Sequence, residues 1–285
     1  MAVLRRAVRY RVDTWSGAAC ADPNDRSVHW SRVVPFVLIH LPCVAVFWVG
    51  VSRTAVAVCA AMYVVRMFGI TAFYHRYFSH RAYKTSRAMQ FVAAVIGNAA
   101  AQRGPLWWAA HHRYHHQHAD TPEDLHSPRQ SGFWRSHIGW ILENKNYHTR
   151  SRLVPDLARY PELVFLDRFD WMVPLLTAIA LFIAGGAQLL VWGFFISTVF
   201  LFHGTCVINS LAHMWGTRTY DSRDDSRNNF VLSLITLGEG WHNNHHQFPG
   251  RTRQGMAWWQ IDPTFYVLKV MSWLALVWDI EARPK

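Results

Sequence analysis

The feature that most constrains this chain is a set of three short histidine runs that lie far apart in the sequence. They are His75-Arg-Tyr-Phe-Ser-His80, His112-Arg-Tyr-His115-His116 and His242-Asn-Asn-His245-His246. The second and third share the spacing H-x-x-H-H. On a helix that turns about 100° per residue, positions i, i+3 and i+4 fall within one arc of roughly 100°, so each run can aim three imidazoles at one place. This pattern predicts metal ligation rather than surface or capping histidines.

The composition predicts a membrane protein. Hydrophobic residues make up 51% of the 285 residues and charged residues only 16%, which is too apolar for an ordinary soluble domain of this length. Each of the first two apolar stretches approaches the ~20 residues that a helix needs to cross a bilayer. We therefore expect an all-α integral membrane protein whose four transmembrane helices form two hairpins. The expected spans are residues 33–51, 54–74, 171–184 and 189–211.

Two parts of this topology leave alternatives open. The Gly185-Gly186-Ala187-Gln188 turn of the second hairpin is also compatible with a kink in one segment, but that segment is too long, at about 1.5 Å per residue, to cross a ~30 Å core once. The stretch from Phe265 to Ile280 is short and contains Lys269, so an interfacial helix is favoured over a fifth span. We find no internal repeat or long linker and interpret residues 1–285 as a single domain.

The distribution of charge predicts the orientation. The chain has a net charge of +11, and the two expected outer turns hold one basic residue, Arg53. The N-terminus, the segment from His75 to Asp170 and the C-terminal third hold nearly all the others, so these parts and both termini are expected in the cytoplasm. Anionic membrane lipids are the expected partners of the basic residues. Nucleic acid is not expected, because the sequence has no separate basic soluble domain.

Two further features of the sequence are negative expectations. The arginines of residues 1–11 accompany no apolar core or cleavage site, so this stretch is not expected to be a signal peptide. Cys20, Cys43, Cys59 and Cys206 form no C-x-x-C pair. We expect neither a disulfide nor a cysteine-ligated cluster.

The number of candidate ligands predicts two metal ions. Eight histidines occur in the three runs, and His213 in Asn209-Ser-Leu-Ala-His213 makes a ninth. Nine ligands exceed the capacity of one ion, and neutral imidazole suits iron, zinc and copper. Asn209 lies four residues before His213 on the same helix face and can reach the same centre directly or through a water. An all-nitrogen set differs from the carboxylate di-iron bundles and favours redox chemistry with O2.

Other polar residues complete the expected site. His75 and His80 lie about 140° apart on an ideal helix, so they would straddle a metal or require the helix end to unwind. Hydrogen-bond acceptors for the ligand rings are expected among the nearby acids, which are Asp120, Glu123, Asp124 and Glu239. His40 and His203, isolated in apolar spans, are expected to have packing roles, and His111 and His118 to lie around the ligands or at the surface. Arg66 is either functional or snorkels to the interface.

With these residues, the chain resembles the membrane-bound fatty acid desaturases of the acyl-CoA desaturase family, the stearoyl-CoA desaturase-like, delta-9 type. The resemblance runs from about Arg66 to the C-terminus. Besides the histidine runs it rests on Ser79-His80-Arg81-Ala-Tyr83-Lys84-Thr85, His118-Ala-Asp120, Glu123-Asp-Leu-His126-Ser-Pro128, Gly132-Phe-Trp-Arg-Ser-His137-Ile-Gly-Trp140, Asn209-Ser-Leu-Ala-His213 and Gly238-Glu-Gly-Trp-His242-Asn-Asn-His245-His246-Gln-Phe-Pro249.

The resemblance implies four spans, a cytosolic helical cap with a histidine-rich di-iron site, and a role for each site residue. Asn209 would hold a water, and the bend of an acyl tunnel would be lined by Gln102, Trp108 and Thr205. One iron would take His75, His80, His112, His116 and His245, and the other His115, His213, His242 and His246.

The resemblance also implies the reaction and its partners. With O2 as co-substrate, a cis double bond would be inserted into a saturated long-chain acyl group carried by CoA, by a lipid or by acyl-carrier protein. Electrons would come from an external donor such as ferredoxin, rubredoxin or a cytochrome b5-type protein with its reductase. Where animal acyl-CoA members carry Arg-Asp before the second run, this chain has Ala110-His111, which leaves the acyl carrier open. Two rival functions remain, an integral-membrane hydroxylase of alkyl or lipid chains and a membrane metal-binding or transport protein.

Overall fold

A computed structural model describes residues 14–15 and 25–280 of the chain. Cys20 and the arginines of residues 1–11 lie outside the described residues, and so does the expectation about a signal peptide. Cys43, Cys59 and Cys206 are free thiols, as expected. The described chain is mostly helical and has one antiparallel strand pair, in which β1 (Lys84–Thr85) lies against β2 (Val277–Trp278).

The helices are numbered here in chain order. The first part of the chain contains α1 Trp30–His40, α2 Val46–Val49, α3 Arg53–Phe68, the π-helical segment Gly69–Ser79, α4 Arg87–Asn98 and α5 Pro105–His118. The middle part contains α6 Pro128–Trp134, the π-helical Arg135–Gly139, α7 Trp140–Leu142, α8 Pro155–Ala158 and α9 Pro161–Arg168. The last part contains α10 Met172–Leu189, the π-helical Leu190–Ile196, α11 Ser197–Asn209, α12 Phe230–Ile235, α13 His242–Gln247 and α14 Pro263–Trp273. Single 3-10 turns occupy Leu41–Ala45, Asn144–Asn146, Ser151–Leu153 and Leu211–His213.

Three helical stretches of the described chain are long and apolar enough to cross a membrane: Arg32–Val49, Arg53–Ser79 and Met172–His213. The third has 42 residues, and its helical path is broken at Gly185 and Gly186. A Cβ atom built on Gly193 would lie 3.1 Å from Leu181 Cδ2, although these residues would be about 18 Å apart along a continuous helix. The third stretch is therefore not one continuous helix, and residues on the two sides of the glycines lie next to each other.

The turn that follows the first helical stretch contacts the turn at Gly185 and Gly186 within the third. Ser52 Oγ donates to Gln188 Oε1 at 2.8 Å, and Gln188 Nε2 donates to the carbonyl of Val49 at 2.9 Å. Trp192 Nε1 adds a hydrogen bond of 2.9 Å to the carbonyl of Gly50. Both turns therefore lie at the same end of the helical bundle.

The end of the second stretch differs from the α-helix on which the histidine geometry was predicted. Gly69–Ser79 is π-helical, and the backbone N–H of His80 donates to the carbonyl of His75 at 3.3 Å. This i→i+5 bond places residues five apart over one another, and the two imidazole centroids lie 4.9 Å apart. The separation of about 140° for an ideal α-helix therefore does not apply. Of the two alternatives, the helix end unwinds, and it does so into π-helical turns.

The remaining apolar helices are short. Helix α4 has only 12 residues; it buries Ala93 and Ala94 and exposes Phe91 and Val92. The stretch after Pro263 forms α14 over only 11 residues and then turns into β2. This length is insufficient for the alternative of a fifth span.

An arginine connects the end of the π-helical segment to the cap, the name used here for residues 80–171 and 214–280, which lie outside the three apolar stretches. Arg113 on α5 donates to the carbonyls of Phe78 and Ser79 at 2.8 and 2.9 Å. The same guanidinium binds both oxygens of Asp156 at 2.7 and 3.0 Å. Such bidentate pairing is rigid, so α5 and the segment that carries His75 and His80 are held in a fixed relation.

Candidate metal centre

Five histidines from distant parts of the chain form a first cluster. Each offers a ring nitrogen within 4.8 Å of the others, and the five are His75, His80, His112, His116 and His245. The π-helical segment and its C-cap supply the first two, α5 supplies an i, i+4 pair, and α13 supplies the last. The Nε2 atoms are in contact, with distances of 2.9 Å from His75 to His245, 2.8 Å from His80 to His112, and 3.0 Å both from His116 to His112 and from His116 to His245.

The protons of this cluster fit a bound cation. His75 Nδ1 faces a carboxylate oxygen of Glu239, which can only accept, so the proton is on Nδ1 and Nε2 carries a lone pair. His112 Nε2 faces two other Nε2 atoms but has only one in-plane proton or lone pair to offer. Hydrogen bonds cannot satisfy these contacts together, whereas a metal ion accepts every lone pair at once.

A second cluster consists of His115, His213, His242 and His246. Three of these rings bind carboxylates through Nδ1, His115 with Asp124 at 2.9 Å, His213 with Asp120 at 2.8 Å and His246 with Asp224 at 2.7 Å. The Nε2 atoms of His115 and His246 are buried and have no hydrogen-bond partner among the described residues. Buried polar atoms are rarely left in this state, and lone pairs aimed at a common point fit a second metal ion.

Each H-x-x-H-H run contributes to both clusters. In α5 the i and i+4 residues His112 and His116 belong to the first cluster, whereas the i+3 residue His115 belongs to the second. In α13 the assignment is reversed, because His242 and His246 belong to the second and His245 to the first. The partition is the one that the resemblance implied. The three imidazoles of a run do not face one place, because an arc of roughly 100° is wide enough to face two adjacent clusters.

Burial sets the ionisation of the rings. Burial, reinforced by the other imidazoles, lowers the pKa far below the usual value of histidine for His80, His112, His116, His242 and His245. Burial also lowers the pKa of His246 to about 4, although Asp224 opposes the shift. Neutral imidazole is the form that binds metals, so these six rings have the ligand form at neutral pH. For His115, burial would lower the pKa, but the contacts with Asp124 outweigh burial and raise it.

The carboxylates stay ionised although they are buried. Burial alone would raise the pKa of Asp120, but the hydrogen bond and charge of His213, with further hydrogen bonds from Ser127 and Asp225 N, lower it to about 2. For Asp124, contacts with His115 outweigh burial in the same way and lower the pKa. The acids therefore remain acceptors that orient the rings.

The four predicted acids have different positions. Asp120, Asp124 and Glu239 bind ligand rings, whereas Glu123 is exposed and does not reach the centre. Asp224, which binds His246, was missed by the sequence analysis. It lies in the loop between the 3-10 turn Leu211–His213 and α12, and no fixed spacing to a histidine run marks it.

Glu239 is held by a second layer of charge. Arg76 donates to Glu239 Oε1 at 3.0 Å and pairs with Asp262 Oδ1 at 3.0 Å, and all three side chains are almost completely buried. Gln254 Nε2 donates to Glu239 Oε2 at 3.1 Å. The acceptor for His75 is therefore fixed by these three polar contacts across the cap.

Other histidines lie around the clusters. His126 was also missed as a site residue; it is buried and stacks on His115 with ring centroids 4.3 Å apart. His111 is buried and hydrogen-bonded to the carbonyl of Trp107 at 2.8 Å, and His118 binds the carbonyl of Tyr114 at 2.9 Å.

Two histidines and an arginine of the apolar helices have polar partners. His40 and His203 contact each other through Nε2 at 3.1 Å, and His203 also contacts His137 at 3.0 Å. These contacts accord with the expected packing roles. Arg66 is buried and donates to Thr198 Oγ1 at 2.6 Å and to Ser197 Oγ. It therefore links α3 to α11 and does not snorkel.

A cavity of about 760 Å³ adjoins the first cluster. The four residues that the resemblance assigns to the tunnel and to a bound water line it together with His112: Gln102, Trp108, Thr205 and Asn209. Gln102 Nε2 donates to Thr205 Oγ1 at 2.9 Å, and the Trp108 indole stacks on His112 with ring centroids 5.0 Å apart. Most of the remaining wall is aliphatic or aromatic, as in pockets that bind apolar ligands.

The sequence pattern of the fatty acid desaturase family matches residues 29–272. The chain belongs to this family. It is 35% identical to an sn-2 palmitoyl-lipid 9-desaturase of Nostoc sp. (strain 36) over 266 residues; this alignment covers 92% of this chain and 93% of the relative. It is 40% identical over 238 residues to an acyl-CoA 5-desaturase of Anemone leveillei, which covers 82% and 71%. It is 39% identical over 230 residues to a delta-9 acyl-lipid desaturase of Arabidopsis thaliana, which covers 80% and 75%.

The family membership confirms the resemblance read from the motifs. The protein is an oxidoreductase of the fatty acyl desaturase type, and the relatives act, by their names, on acyl-CoA or acyl-lipid substrates. The names of the relatives give different positions for the double bond of the product, since both 9- and 5-desaturases occur among them.

Replacement of the missed acid tests how the rings are oriented. Asp224→Asn replaces the charged acceptor of the His246 Nδ1 proton by a neutral amide, whose oxygen accepts more weakly, and mutation of such a partner lowers metal affinity by about 10–100-fold. We expect the purified variant to lose iron to a chelator correspondingly faster. Glu123→Gln is the matched control, because it neutralises an exposed acid of the same cap. Equal iron retention in both variants would contradict the role of Asp224.

Proposed function

We propose that this desaturase inserts a cis double bond of the delta-9 type into a saturated palmitoyl or stearoyl chain with a di-iron centre held by nine histidines. The observation that carries the proposal is the convergence of two all-histidine clusters beside an apolar cavity. The first ion would be held by the five-histidine cluster and the second by the four-histidine cluster. Asn209, at the end of α11, is proposed to hold a water near the second ion.

In this proposal the bound irons supply the redox chemistry that lets O2 remove two hydrogens from adjacent methylenes. The balance is one saturated chain, one O2, two electrons and two protons converted to one alkene and two waters. An external protein, a ferredoxin, rubredoxin or cytochrome b5-type donor, supplies the electrons. The carboxylates keep the ligand protons on Nδ1, and the aromatic and aliphatic wall excludes water from the reacting chain.

The cavity supports a long acyl chain as the substrate. A volume of about 760 Å³ lies within the range of roughly 300–1,000 Å³ that is usual for bound organic ligands. Trp108 forms a large wall next to His112, and the Gln102–Thr205 pair closes the cavity nearby. These contacts are proposed to set which methylenes lie beside the metals. The delta-9 position rests on relatives that are named 9-desaturases.

The rival functions make different demands on the site. A hydroxylase would use a similar centre but release an alcohol rather than an alkene, so product analysis separates the two. A transport protein should place ligands along a path through the spans. The histidines of both clusters instead come from the cap and from the ends of the apolar stretches next to it.

Fatty-acid profiling tests the proposed reaction. A host that lacks its own desaturase should gain cis-9 monoenoic chains on expression, and the purified protein should hold about two iron ions per chain, as the ligand set predicts. His115→Ala and His245→Ala should abolish the product. His118→Ala should retain the product. His118 lies on the same helix as His115, and its ring is hydrogen-bonded to a backbone carbonyl. Hydroxylated products, or active protein with zinc and almost no iron, would contradict the proposal.

We propose four membrane crossings with the termini and the metal centre in the cytoplasm. The break in the helix at Gly185-Gly186 and the contact between the two turns support this topology, as does the distribution of basic residues. In a variant without native cysteines, Arg53→Cys and Ala187→Cys should react with an impermeant thiol reagent outside intact cells. Arg150→Cys should react only after permeabilisation. Labelling of residue 150 alone, or of only one of the two turns, would contradict the topology.

The proposed bend predicts the effect of one tryptophan. Trp108→Ala removes the indole beside His112, so the double-bond position or the preferred chain length should change, or turnover should fall, while the iron content persists. Trp134→Ala is the matched control, because Trp134 is 75% exposed and is expected only to anchor the protein at the interface. An unchanged product spectrum and turnover for Trp108→Ala would remove its assignment to the bend.

A further inference from the structure

The cavity wall is incomplete on the side that faces the lipid. Val34 and Leu38 of α1 and Leu175 of α10 line the cavity, yet they are 55%, 57% and 47% exposed. A side chain that is both at a cavity wall and half exposed lies at a rim. These residues therefore frame an opening between the beginnings of two membrane-spanning stretches.

The same end of the cavity carries two arginines. Arg32 lies at the beginning of the first span, and Arg103 lies just before α5. Both donate through Nη2 to the carbonyl of Tyr147, at 3.1 and 2.9 Å, so the two guanidiniums are close together. The Trp107 and Tyr147 rings contact both guanidiniums, with charge-to-centroid distances from 4.5 to 5.8 Å.

These two cations are not fully paired. Arg103 forms an ion pair with Asp170 at 2.6 Å. The Nε atoms of Arg32 and Arg103 are both buried, and neither has a hydrogen-bond partner among the described residues. Two adjacent guanidinium groups, of which Arg103 alone has a carboxylate at ion-pair distance among the described residues, are suited to bind an oxyanion such as a phosphate through their remaining N–H donors.

We propose that the substrate is an acyl chain of a membrane phospholipid that enters sideways between α1 and α10, with its phosphate on Arg32 and Arg103. This inference rests on the proposed function and specifies the acyl carrier. A lateral opening serves a chain that already lies in the bilayer. Arg32 lies where the first apolar stretch begins, and Arg103 pairs with Asp170, just before the third, so both lie at the depth at which lipid headgroups meet water. A neutral glycolipid would not supply the anion for which the free donors are suited.

The carrier is tested with the iron-loaded full-length enzyme in proteoliposomes. Perdeuterated stearoyl chains are offered as phosphatidylglycerol, as monogalactosyldiacylglycerol, as stearoyl-CoA or as stearoyl-acyl-carrier protein, and reduced ferredoxin is added in every arm. We expect phosphatidylglycerol to be desaturated at least about tenfold faster than each of the others, a difference of the size that one lost charged contact produces.

The outcomes separate the two levels of the proposal. Preference for the CoA or carrier-protein substrate would overturn the lipid carrier while leaving desaturation intact. Equal rates for phosphatidylglycerol and the galactolipid would overturn the role of the arginines. If no arm is converted while a hydroxylated or other product forms, the proposed function itself fails.

Two neighbouring residues of α1 test the opening. Leu38→Trp should obstruct the rim and lower the rate on phosphatidylglycerol by about tenfold, whereas the iron content stays unchanged. Val37→Trp is the matched control, because Val37 is 45% exposed on the same helix but does not line the cavity. Equal rates in the two variants would contradict lateral access.

Arg32→Gln tests the phosphate contact separately. It should raise KM for phosphatidylglycerol and reduce the preference over the galactolipid, with kcat and iron content retained. A fall in kcat for all substrates at an unchanged preference would assign Arg32 a structural role and overturn its contact with the phosphate.

Discussion

The proposed metal centre depends on hydrogen bonds from the Nδ1 atoms of four of its histidines to buried carboxylates. A neutral imidazole has one proton, and a carboxylate that accepts it at Nδ1 leaves the lone pair on Nε2. Glu239, Asp124, Asp120 and Asp224 fix His75, His115, His213 and His246 in this way. Without these acceptors each ring could rotate or change tautomer, and neither cluster would present a defined set of lone pairs.

The acceptors themselves require support, because an ionised carboxylate is costly to bury. The carboxylate of Asp120 accepts hydrogen bonds from the hydroxyl of Ser127 at 2.5 Å and from the backbone N–H of Asp225 at 2.8 Å. Glu239 is paired with Arg76, which also binds Asp262. Breaking one partner of such a buried pair costs about 3–5 kcal/mol, so these residues join the stability of the cap to the order of the site. The loops that supply them are thus part of the centre.

The sequence predicted the nine histidines and the apolar stretches because both follow local periodicity. The H-x-x-H-H runs are helical in the structure, and the three candidate spans coincide with predicted apolar segments. For His75 and His80 the sequence predicted an unwound helix end as one alternative but not its π-helical form, because a π-helical turn is not encoded by the spacing of apolar residues. Asp224 was missed because its position next to His246 depends on how a long loop folds back over the cap. The partition of each run between two clusters was implied by the resemblance and not by the spacing, because it depends on tertiary packing.

The central claim is that two separate ions are bound, one by five histidines and one by four. Mössbauer spectroscopy of protein loaded with isotopically enriched iron tests this claim directly. The account predicts two iron signals of equal area. His80→Ala should alter chiefly the signal of the five-histidine site, and His242→Ala chiefly the other. A single iron signal, or two signals that both variants alter to the same extent, would contradict it.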